Sequence, residues 1–408
     1  MEQMETVKSD GGMSWEMVRL EVLCTIVRGS SPRPQGDPRF YNGDVPRLMI
    51  EDLTRDGKYV TPQVDSLTEE GAKLSRPMKK GDLVITVSGR TGVPAILNVD
   101  CCIHDGFVGF RELSKTVDID YLFYYLSNLT STTSQQAVGA IFKNLTTDQL
   151  KNIQIPLPPL PIQKRIAEIL DAADALKRKD QELLKKYDEL AQAIFINMFG
   201  DPVKNEKGWE VKKLKSITTK IGSGATPTGG KTAYKATGIS LIRSMNVYDF
   251  SFKWKDLAFI DNAQASKLNN VEVMSKDVLF NITGASVCRC SIVPDELLPA
   301  RVNQHVAIIR AKTEFLNPIF LNHLLVSNSV KTNLLGVGSG GGAVMEAITK
   351  DQLEQFEIIV PPIKIQNGFE QKINNVFGQK DIDLKSIETT DNLFQTLIQK
   401  AFKGELVA

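Results

Sequence analysis

The sequence predicts an α+β fold in which two similar modules are separated by two long helices. Three observations predict it: an internal repeat with a period near 200 residues, short β-type segments alternating with turn residues in each copy, and a long helix after each copy. We expect the helices to pair as an antiparallel coiled coil, giving the repeat a pseudo-twofold axis. The expected parts are an N-terminal tail (1–14), a first module (15–158), a central helix (159–200), a second module (201–360) and a C-terminal helix (361–408).

The internal repeat is anchored at both ends of each copy and keeps its order between them. Its offset grows from 194 to 203 residues along the chain, so the copies differ by short insertions. A period of this length is too long for a solenoid, and each copy is therefore a whole module. The matching segments are Trp15–Leu20 with Trp209–Leu214, Asp82–Ile85 with Asp277–Phe280, Phe107–Arg111 with Val306–Arg310, Asp148–Leu150 with Asp351–Leu353, and Pro158–Gln163 with Pro361–Gln366.

The first long helix is predicted from a seam of apolar residues that step by three and four. The seam comprises Ile162, Ile166, Ile169, Ala173, Leu176, Leu183, Tyr187, Leu190 and Ile194. Gly200 and Pro202 end it, and the helix over 161–199 would be about 60 Å long at 1.5 Å per residue. The second helix, over about 363–402, has a less regular seam and is the expected partner of the first.

The composition is that of a globular protein. The chain has 408 residues, 49 basic against 48 acidic side chains and 42% hydrophobic residues, which excludes collagen and overall disorder. No run approaches 18 apolar residues and the N-terminus is polar and acidic, so we expect neither a membrane span nor a secretory signal. Five cysteines without disulfide-framework or zinc-finger spacing fit a reducing compartment. We therefore expect a cytoplasmic protein without membrane contact.

The charges are distributed unevenly among the predicted parts. Residues 15–158 carry 16 basic and 17 acidic groups, 159–200 carry 7 of each, and 201–360 carry 19 and 15. A neutral helix pair with two diverged modules suits holding two binding surfaces at a fixed separation, and DNA presents base edges on one face every 34–36 Å or so. Because phosphate contacts dominate affinity for nucleic acids, we expect this chain alone to bind DNA weakly.

Three segments resemble one known family. Ile155–Leu170, Ile194–Pro202 and Asn303–Val306 resemble the specificity subunit of type I restriction-modification systems, and the resemblance covers nearly the whole chain. It implies a non-catalytic DNA-binding subunit whose two target-recognition modules each read half of an asymmetric, interrupted site in double-stranded DNA. It also implies two methyltransferase subunits and two restriction (motor-nuclease) subunits as partners. S-adenosylmethionine, ATP and Mg²⁺ are implied for those partners, and no cofactor or metal for this chain.

Loops of both modules contain the side chains that direct readout of base edges uses. Their glycines are expected to allow close approach to a phosphate backbone. The candidate DNA contacts of the first module are Arg28, Ser30, Ser31, Arg33, Gln35, Ser88 and Arg90, and those of the second are Ser223, Thr226, Thr228, Lys231, Arg243, Asn246 and Ser286. Because the frame segments repeat while these loops do not, we expect the two half-sites to differ.

Two other functions stay open at this point. Ala225–Thr232 nearly matches the phosphate-binding Walker A loop, with Ala in place of the first Gly, which would indicate a nucleotide-dependent DNA-acting enzyme. A purely structural coiled-coil scaffold would recognise no DNA sequence in any complex. Asn317–Phe320 is similar to a loop of adenine methyltransferases, but a proline near a helix start explains it, so we expect no methylating activity in this chain.

Overall fold

The structure is a computed structural model that describes residues 6–7, 15–89, 91–135, 146–227, 230–338 and 347–407. It divides into two compact units, one formed by Met1–Gln181 with Lys385–Ala408 and the other by Glu182–Leu384. Each unit contains one of the two modules. Each of the two long helices begins in one unit and ends in the other.

The first unit contains a mixed module whose strands form three sheets in the described part of the chain. The elements are β1 (Thr6–Val7), β2 (Trp15–Arg19), α1 (Leu20–Leu23), β3 (Thr25–Arg28), β4 (Tyr41–Leu48), α2 (Ile50–Asp56), β5 (Tyr59–Val60), β6 (Asp65–Leu67), α3 (Glu69–Leu74), β7 (Arg76–Met78), β8 (Leu83–Thr86), β9 (Pro94–Leu97), β10 (Cys101–Ile103), β11 (Phe107–Arg111), α4 (Ile119–Gln135), α5 (Thr147–Lys151), β12 (Gln154–Pro156) and α6 (Leu160–Phe199), which begins in this unit. The strand orders of the three sheets are β1-β2-β12, β6-β4-β10-β7 and β3-β11-β8-β9-β5.

The second unit contains a module of the same kind. Its elements are β13 (Val211–Lys213), α7 (Leu214–Ile217), β14 (Thr218–Ser223), β15 (Ile239–Ile242), β16 (Val247–Tyr248), β17 (Ser251–Phe252), β18 (Ala258–Ile260), α8 (Asn262–Ser266), β19 (Glu272–Val273), β20 (Val278–Asn281), β21 (Cys290–Ile292), β22 (Ala300–Val302), β23 (Val306–Ala311), α9 (Pro318–Val326), α10 (Asn328–Gly338), α11 (Lys350–Gln355), β24 (Glu357–Ile359) and α12 (Ile363–Phe402). The sheets have the orders β13-β24, β14-β23-β20-β21, β18-β15-β22-β19 and β16-β17. Short 3₁₀ turns connect several strands.

The two modules share one strand plan. The order β3-β11-β8-β9 recurs as β14-β23-β20-β21, and β6-β4-β10-β7 recurs as β18-β15-β22-β19. The parallel pair of the second sheet also recurs, because β4 lies parallel to β10 and β15 lies parallel to β22. The predicted fold class, two related α+β modules with a long helix after each, is therefore confirmed.

A buried glutamine fastens the start of each long helix to its own module. Gln163 is 0% exposed; its amide nitrogen donates to the carbonyls of Thr116 and Pro158, both at 2.8 Å, and its oxygen accepts from the N–H of Asp118 at 2.8 Å. Gln366, also fully buried, repeats all three hydrogen bonds, with the carbonyls of Phe315 and Pro361 and the N–H of Asn317. These contacts explain why the Pro-Pro segment and its glutamine recur together.

The segments held by these glutamines begin the helices α4 and α9. Asp118 Oδ1 accepts from the N–H groups of Asp120 and Tyr121, both at 3.1 Å. Asn317 Oδ1 accepts from Ile319 and Phe320 in the same way, with Pro318 in the first turn. The interpretation of Asn317–Phe320 as a helix start is therefore confirmed.

The repeated Asp-Gln-Leu triplet belongs to a capping box in both modules. Thr146 caps α5 and exchanges hydrogen bonds with Gln149, and Thr349 does the same with Gln352 at the start of α11. The leucine that follows is fully buried in each copy. The triplet recurs because it starts a short helix and anchors it in the core.

Within each unit, the parts of α6 and α12 that belong to it pack against each other in antiparallel directions. The contacts are Tyr187 with Asp383 (2.6 Å) and Phe195 with Phe369 (ring centroids 5.6 Å apart) in the second unit, and Lys177 with Asp391 (2.9 Å) in the first. Later residues of α6 thus meet earlier residues of α12. In the described part of the chain, every helix is too short or too polar to cross a membrane.

The core of the second unit encloses a histidine. His323 is 4% exposed, and its ring lies against Phe250, Phe369 and Phe377 at centroid distances of 4.4, 5.0 and 5.9 Å. Burial among these rings lowers the pKa of His323 to about 3. The position corresponds to Tyr124, because each residue lies six positions after the capping side chain of its helix.

Replacing Gln163 by Ala should destabilise the first unit by about 2–3 kcal/mol, because two carbonyls and one N–H lose their buried partner. Gln181→Ala is the matched control, since Gln181 is an exposed glutamine of the same helix and should shift stability by about 0.5 kcal/mol at most. Chemical denaturation followed by circular dichroism measures both. Equal shifts for the two variants would contradict the role of Gln163.

His323 should make the second unit sensitive to acid. Its folded-state pKa lies below the unfolded value of about 6.5, so the neutral ring is favoured on folding; the corresponding stability is present above pH 6.5 or so and is lost as the pH falls toward the folded value. His323→Phe should therefore reduce the drop in thermal midpoint between pH 7 and pH 5, measured by calorimetry. An unchanged drop would show that other groups cause the acid sensitivity.

Candidate nucleic-acid interface

Three loops of the first module meet at the turn between β10 and β11. Arg28, at the end of β3, donates to the carbonyl of Asp105 at 3.2 Å, and the Ser31 hydroxyl donates to the Asp105 carboxylate at 2.6 Å. Ser88, in the loop after β8, lies against Gly106, where an added Cβ would come within 2.5 Å of its hydroxyl. The structure therefore brings Arg28, Ser31 and Ser88 together around one turn.

Gly29, which follows β3, and Gly224, which follows β14, each lie in close contact with the backbone of another segment. A Cβ on Gly29 would lie 2.0 Å from the carbonyl oxygen of His104, and one on Gly224 would lie 1.8 Å from that of Val302. The sequence-based expectation that these glycines make room for a phosphate backbone is corrected here. They make room for the backbone of the neighbouring β-turn, and this contact seats the loop on the module.

The other candidates of the first module differ in accessibility. Arg33 and Gln35 are exposed, whereas the Ser30 hydroxyl is half-buried and donates to the carbonyl of Leu74 at 3.1 Å. Arg90 lies outside the described residues. A contact between these side chains and DNA stays a prediction.

The β10–β11 turn adds two residues that sequence reasoning missed. The hydrogen bond from Ser31 is the main cause that lowers the pKa of Asp105, so its carboxylate is ionised at the centre of the loops. Burial, followed by the charge of Arg47, lowers the pKa of His104, and its buried Nε2 has no hydrogen-bond partner among the described residues. The short turn between two buried β-segments was the available signal, but its neighbours lie about 75 positions away in sequence.

The second module repeats this arrangement with different side chains. The Thr226 hydroxyl, in the loop after β14, donates to the side-chain oxygen of Gln304 in the β22–β23 turn. His305, in the same turn, shares hydrogen bonds with Gln304 at 3.1 Å and with Thr283, after β20, at 2.6 Å. Ser223 stands at the end of β14, where Arg28 stands at the end of β3. Loops from the same three places thus meet in both modules.

An open cleft of about 530 Å³ adjoins these loops in the second module. Its surface is mainly apolar. The predicted contact Ser286 lies in it and accepts from the Asn281 amide at 3.1 Å. The lining residues are Ser244, Met245, Tyr248, Thr283, Gly284, Ala285, Ser286, Arg289, His305 and Ala347. Tyr248 and Arg289 lie outside the loops that the sequence predicted.

Asn246 belongs to the frame of the module. It is 0% exposed; its oxygen accepts from the N–H of Arg243 at 3.1 Å and its nitrogen donates to the carbonyl of Lys253 at 2.9 Å. Asp52 has the same place in the first module and accepts from the N–H of Met49 at 3.0 Å. With its side chain buried and its amide engaged, Asn246 cannot reach a base edge in this conformation, which corrects its prediction as a DNA contact.

The remaining candidates of the second module lie around Ala225–Thr232. Thr228 is outside the described residues, and Lys231 is described only through its backbone. The segment continues as a four-residue 3₁₀ turn, Gly230–Ala233, where a Walker A loop requires an α-helix. Arg243 is half-buried and its guanidinium donates to the carbonyl of Asp256.

A basic groove of about 620 Å³ lies along β14 of the second module. Lys215, Lys220 and Lys350 line it together with one carboxylate, that of Glu354, which lies 3.3 Å from Lys215 and 3.4 Å from Lys350. The groove reaches Ser223, a predicted DNA contact. Three ammonium groups against one carboxylate give it a net positive charge, which suits the phosphates of a nucleic-acid backbone.

This basic character is specific to the second module. The repeat places Glu21 where the second module has Lys215, and Thr147 where it has Lys350. The difference agrees with the charges counted over the two modules. The first module therefore carries an acidic and a neutral residue where the second has two lysines of the groove.

Comparison with known proteins assigns both modules to one domain family. The model of the type I restriction modification DNA specificity domain matches residues 13–186 and 206–392. The type I restriction enzyme MjaIX specificity subunit of Methanocaldococcus jannaschii is 26% identical, with 96% of this chain and 93% of that protein covered. The EcoKI specificity subunit of Escherichia coli K12 is 23% identical, with 97% and 89% covered.

Two solved structures share the fold. A chain from a type I restriction-modification system, studied for its assembly and conformational transition, has a TM-score of 0.58 at 19% identity and covers 98% of this chain and 100% of its own. The S subunit of a type I system from M. genitalium has a TM-score of 0.53 at 12% identity and covers 97% and 98%. At such identities the likeness concerns the fold alone.

Replacing Lys215, Lys220 and Lys350 together by Gln should weaken DNA binding to a similar degree for all DNA sequences, because phosphates carry no base information. The slope of log affinity against log salt should become shallower by about 0.9 for each phosphate that the groove no longer neutralises. Anisotropy titrations at several salt concentrations, with the other subunits of the complex present, measure both quantities. The control changes three exposed lysines of α6 (Lys179, Lys185 and Lys186); an equal effect there would contradict a phosphate-binding groove.

Proposed function

The chain belongs to the family of type I restriction modification DNA specificity proteins, and we propose that it reads a bipartite, asymmetric DNA site, one half with each module. It is a non-catalytic subunit that recognises DNA for a type I restriction-modification complex. The observation that carries the bipartite proposal is that loops from the same three places meet in both modules while the side chains on them differ.

The differences between the two sets of loops favour two different half-sites. The first module presents Arg28, Ser31 and an ionised Asp105, whereas the second presents Thr226 and His305 at the corresponding loops. In the major groove each base pair offers its own pattern of donors, acceptors and methyl groups. Sets with such different donors and acceptors select different base sequences.

The chemistry belongs to the partners in this proposal. Two methyltransferase subunits, with S-adenosylmethionine, would flip and methylate one adenine each, and two restriction subunits would use ATP and Mg²⁺. This chain positions them on the DNA. The near-neutral first module, with 16 basic and 17 acidic groups, supports the view that the methyltransferase subunits supply much of the phosphate contact. The five cysteines of the whole chain are free and buried, which fits the reducing cytoplasm.

The proposal is tested by expressing the chain with the adenine methyltransferase subunit of its proposed complex and sequencing the methylated adenines of the host DNA. We expect one motif made of two different half-sites separated by unspecified bases. A purified complex of the two proteins that methylates no defined motif would contradict the proposal and favour a scaffold.

Exchange of one module distinguishes a bipartite reader from other arrangements. Replacing residues 209–353, which lie between the repeated anchors Trp209 and Leu353, by the matching segment of a relative should change one half of the motif and leave the other half intact. The matched control replaces residues 15–150 and should change the other half. A change of both halves in either chimera would contradict separate reading by the modules.

A further inference from the structure

We propose that Arg289 reads a guanine in the half-site of the second module. The proposal rests on the proposed function, since it assigns one base contact within the DNA site of this module. Arg289 was not among the candidates taken from the sequence. The free guanidinium of Arg289, the Tyr248 ring beneath it and its position in the cleft each favour this role.

Arg289 has a free guanidinium that is held in place by an aromatic ring. The guanidinium carbon lies 4.4 Å from the centroid of Tyr248, and in the described part of the chain the guanidinium forms no hydrogen bond or ion pair. The other arginines of the second module are engaged: Arg243 with the Asp256 carbonyl, Arg301 with Glu272 and Arg310 with Asp277. Arg289 therefore keeps all five donors for a ligand.

The backbone at Arg289 is fixed on both sides. Its N–H donates to the carbonyl of Ser286 at 3.1 Å, and its carbonyl accepts from the N–H of Asn281 at 2.9 Å. The preceding residue, Cys288, is buried and has the left-handed φ of +66°, so the turn is held by its surroundings. A side chain stacked on a ring and mounted on such a turn loses little conformational entropy on binding, which favours affinity.

The chemistry of the cleft favours a base over a phosphate. Arg289 lines it together with Met245 and Ala285, and the surface of the cleft is mainly apolar. A solvated phosphate gains nothing from such a surface, whereas the flat edge and face of a base can contact it. The planar fork of an arginine matches the O6 and N7 acceptors of guanine in the major groove, and this is the commonest specific arginine contact.

The arginine distinguishes the second module from the first. The pairing of β20 with β21 follows that of β8 with β9, and this register places Val93 at the position of Arg289. Valine offers no hydrogen bond to a base edge. The predicted guanine contact is thus a property of one half-site.

The test expresses the full chain with its methyltransferase and sequences the methylated adenines for wild type, Arg289→Ala and Arg289→Lys. Wild type should show a guanine in the half-site that the exchange of residues 209–353 assigns to the second module. In Arg289→Ala, discrimination at that guanine should fall about ten- to a hundredfold while the other positions stay specified. Arg289→Lys should lose discrimination in the same position, because lysine keeps the charge but not the fork.

Variants at the supporting ring separate stacking from charge. Tyr248→Phe keeps an aromatic face and should keep the motif. Tyr248→Leu should reduce discrimination at the same guanine as Arg289→Ala does. Lys253→Ala is the matched control, because this exposed lysine also lies over the Tyr248 ring, at 5.4 Å, but does not line the cleft; it should leave the motif unchanged.

Each other outcome has a defined meaning. An unchanged motif in Arg289→Ala overturns the assignment of Arg289 and leaves the proposed function standing. Lower methylation at every site with an intact motif indicates a phosphate contact and also overturns it. Absence of any motif in wild type overturns the proposed function itself. If Arg289→Ala fails to co-purify with its partner, Arg289→Lys, which keeps the charge, provides the test: loss of discrimination at the guanine supports the assignment, and an unchanged motif overturns it.

Discussion

The buried glutamines that begin the two long helices are the interaction on which the arrangement of each module depends. Gln163 and Gln366 each bond one carbonyl just before their own helix, and one carbonyl and one N–H in the segment that caps α4 or α9. A buried polar group left unpaired costs about 1–3 kcal/mol, so these segments are stable only when the long helix, the cap and the module form together. The same cap starts α4 or α9, whose residues complete the core beneath the sheet.

The loops predicted to contact DNA are seated on each module by backbone contacts. Gly29 and Gly224 bring the first reading loop of each module against the turn that follows β10 or β22. Because the contact involves only main-chain atoms and a glycine, the side chains around it can change without disturbing the loop. One scaffold can therefore present Arg28 and Ser31 in one module and Thr226 in the other.

The two modules share one strand order but differ in the side chains of their interiors. In the first unit Lys58, 3% exposed, forms ion pairs with Asp120 on α4 and Asp171 on α6. In the second unit α9 instead carries His323, packed among the phenylalanines of its core. The surfaces differ as well, since the second module has a basic groove that includes Lys215, and the first module has Glu21 at the corresponding position. The affinity for phosphates is therefore expected to be unequal between the modules.

The sequence by itself determined the repeat, both long helices, their proline starts and the family, because these depend on local spacing and on motifs that read the same in any context. It also predicted which loops contact DNA, and the structure brings loops from the same three places together in each module. Only the tertiary structure decided that Asn246 is buried in the frame, and that Asp105 and Arg289 stand beside the predicted loops. The burial of a side chain and its free hydrogen-bonding capacity depend on residues that are distant in sequence. Ser31 and Asp105, for example, are 74 positions apart and come into contact only when the strands have paired.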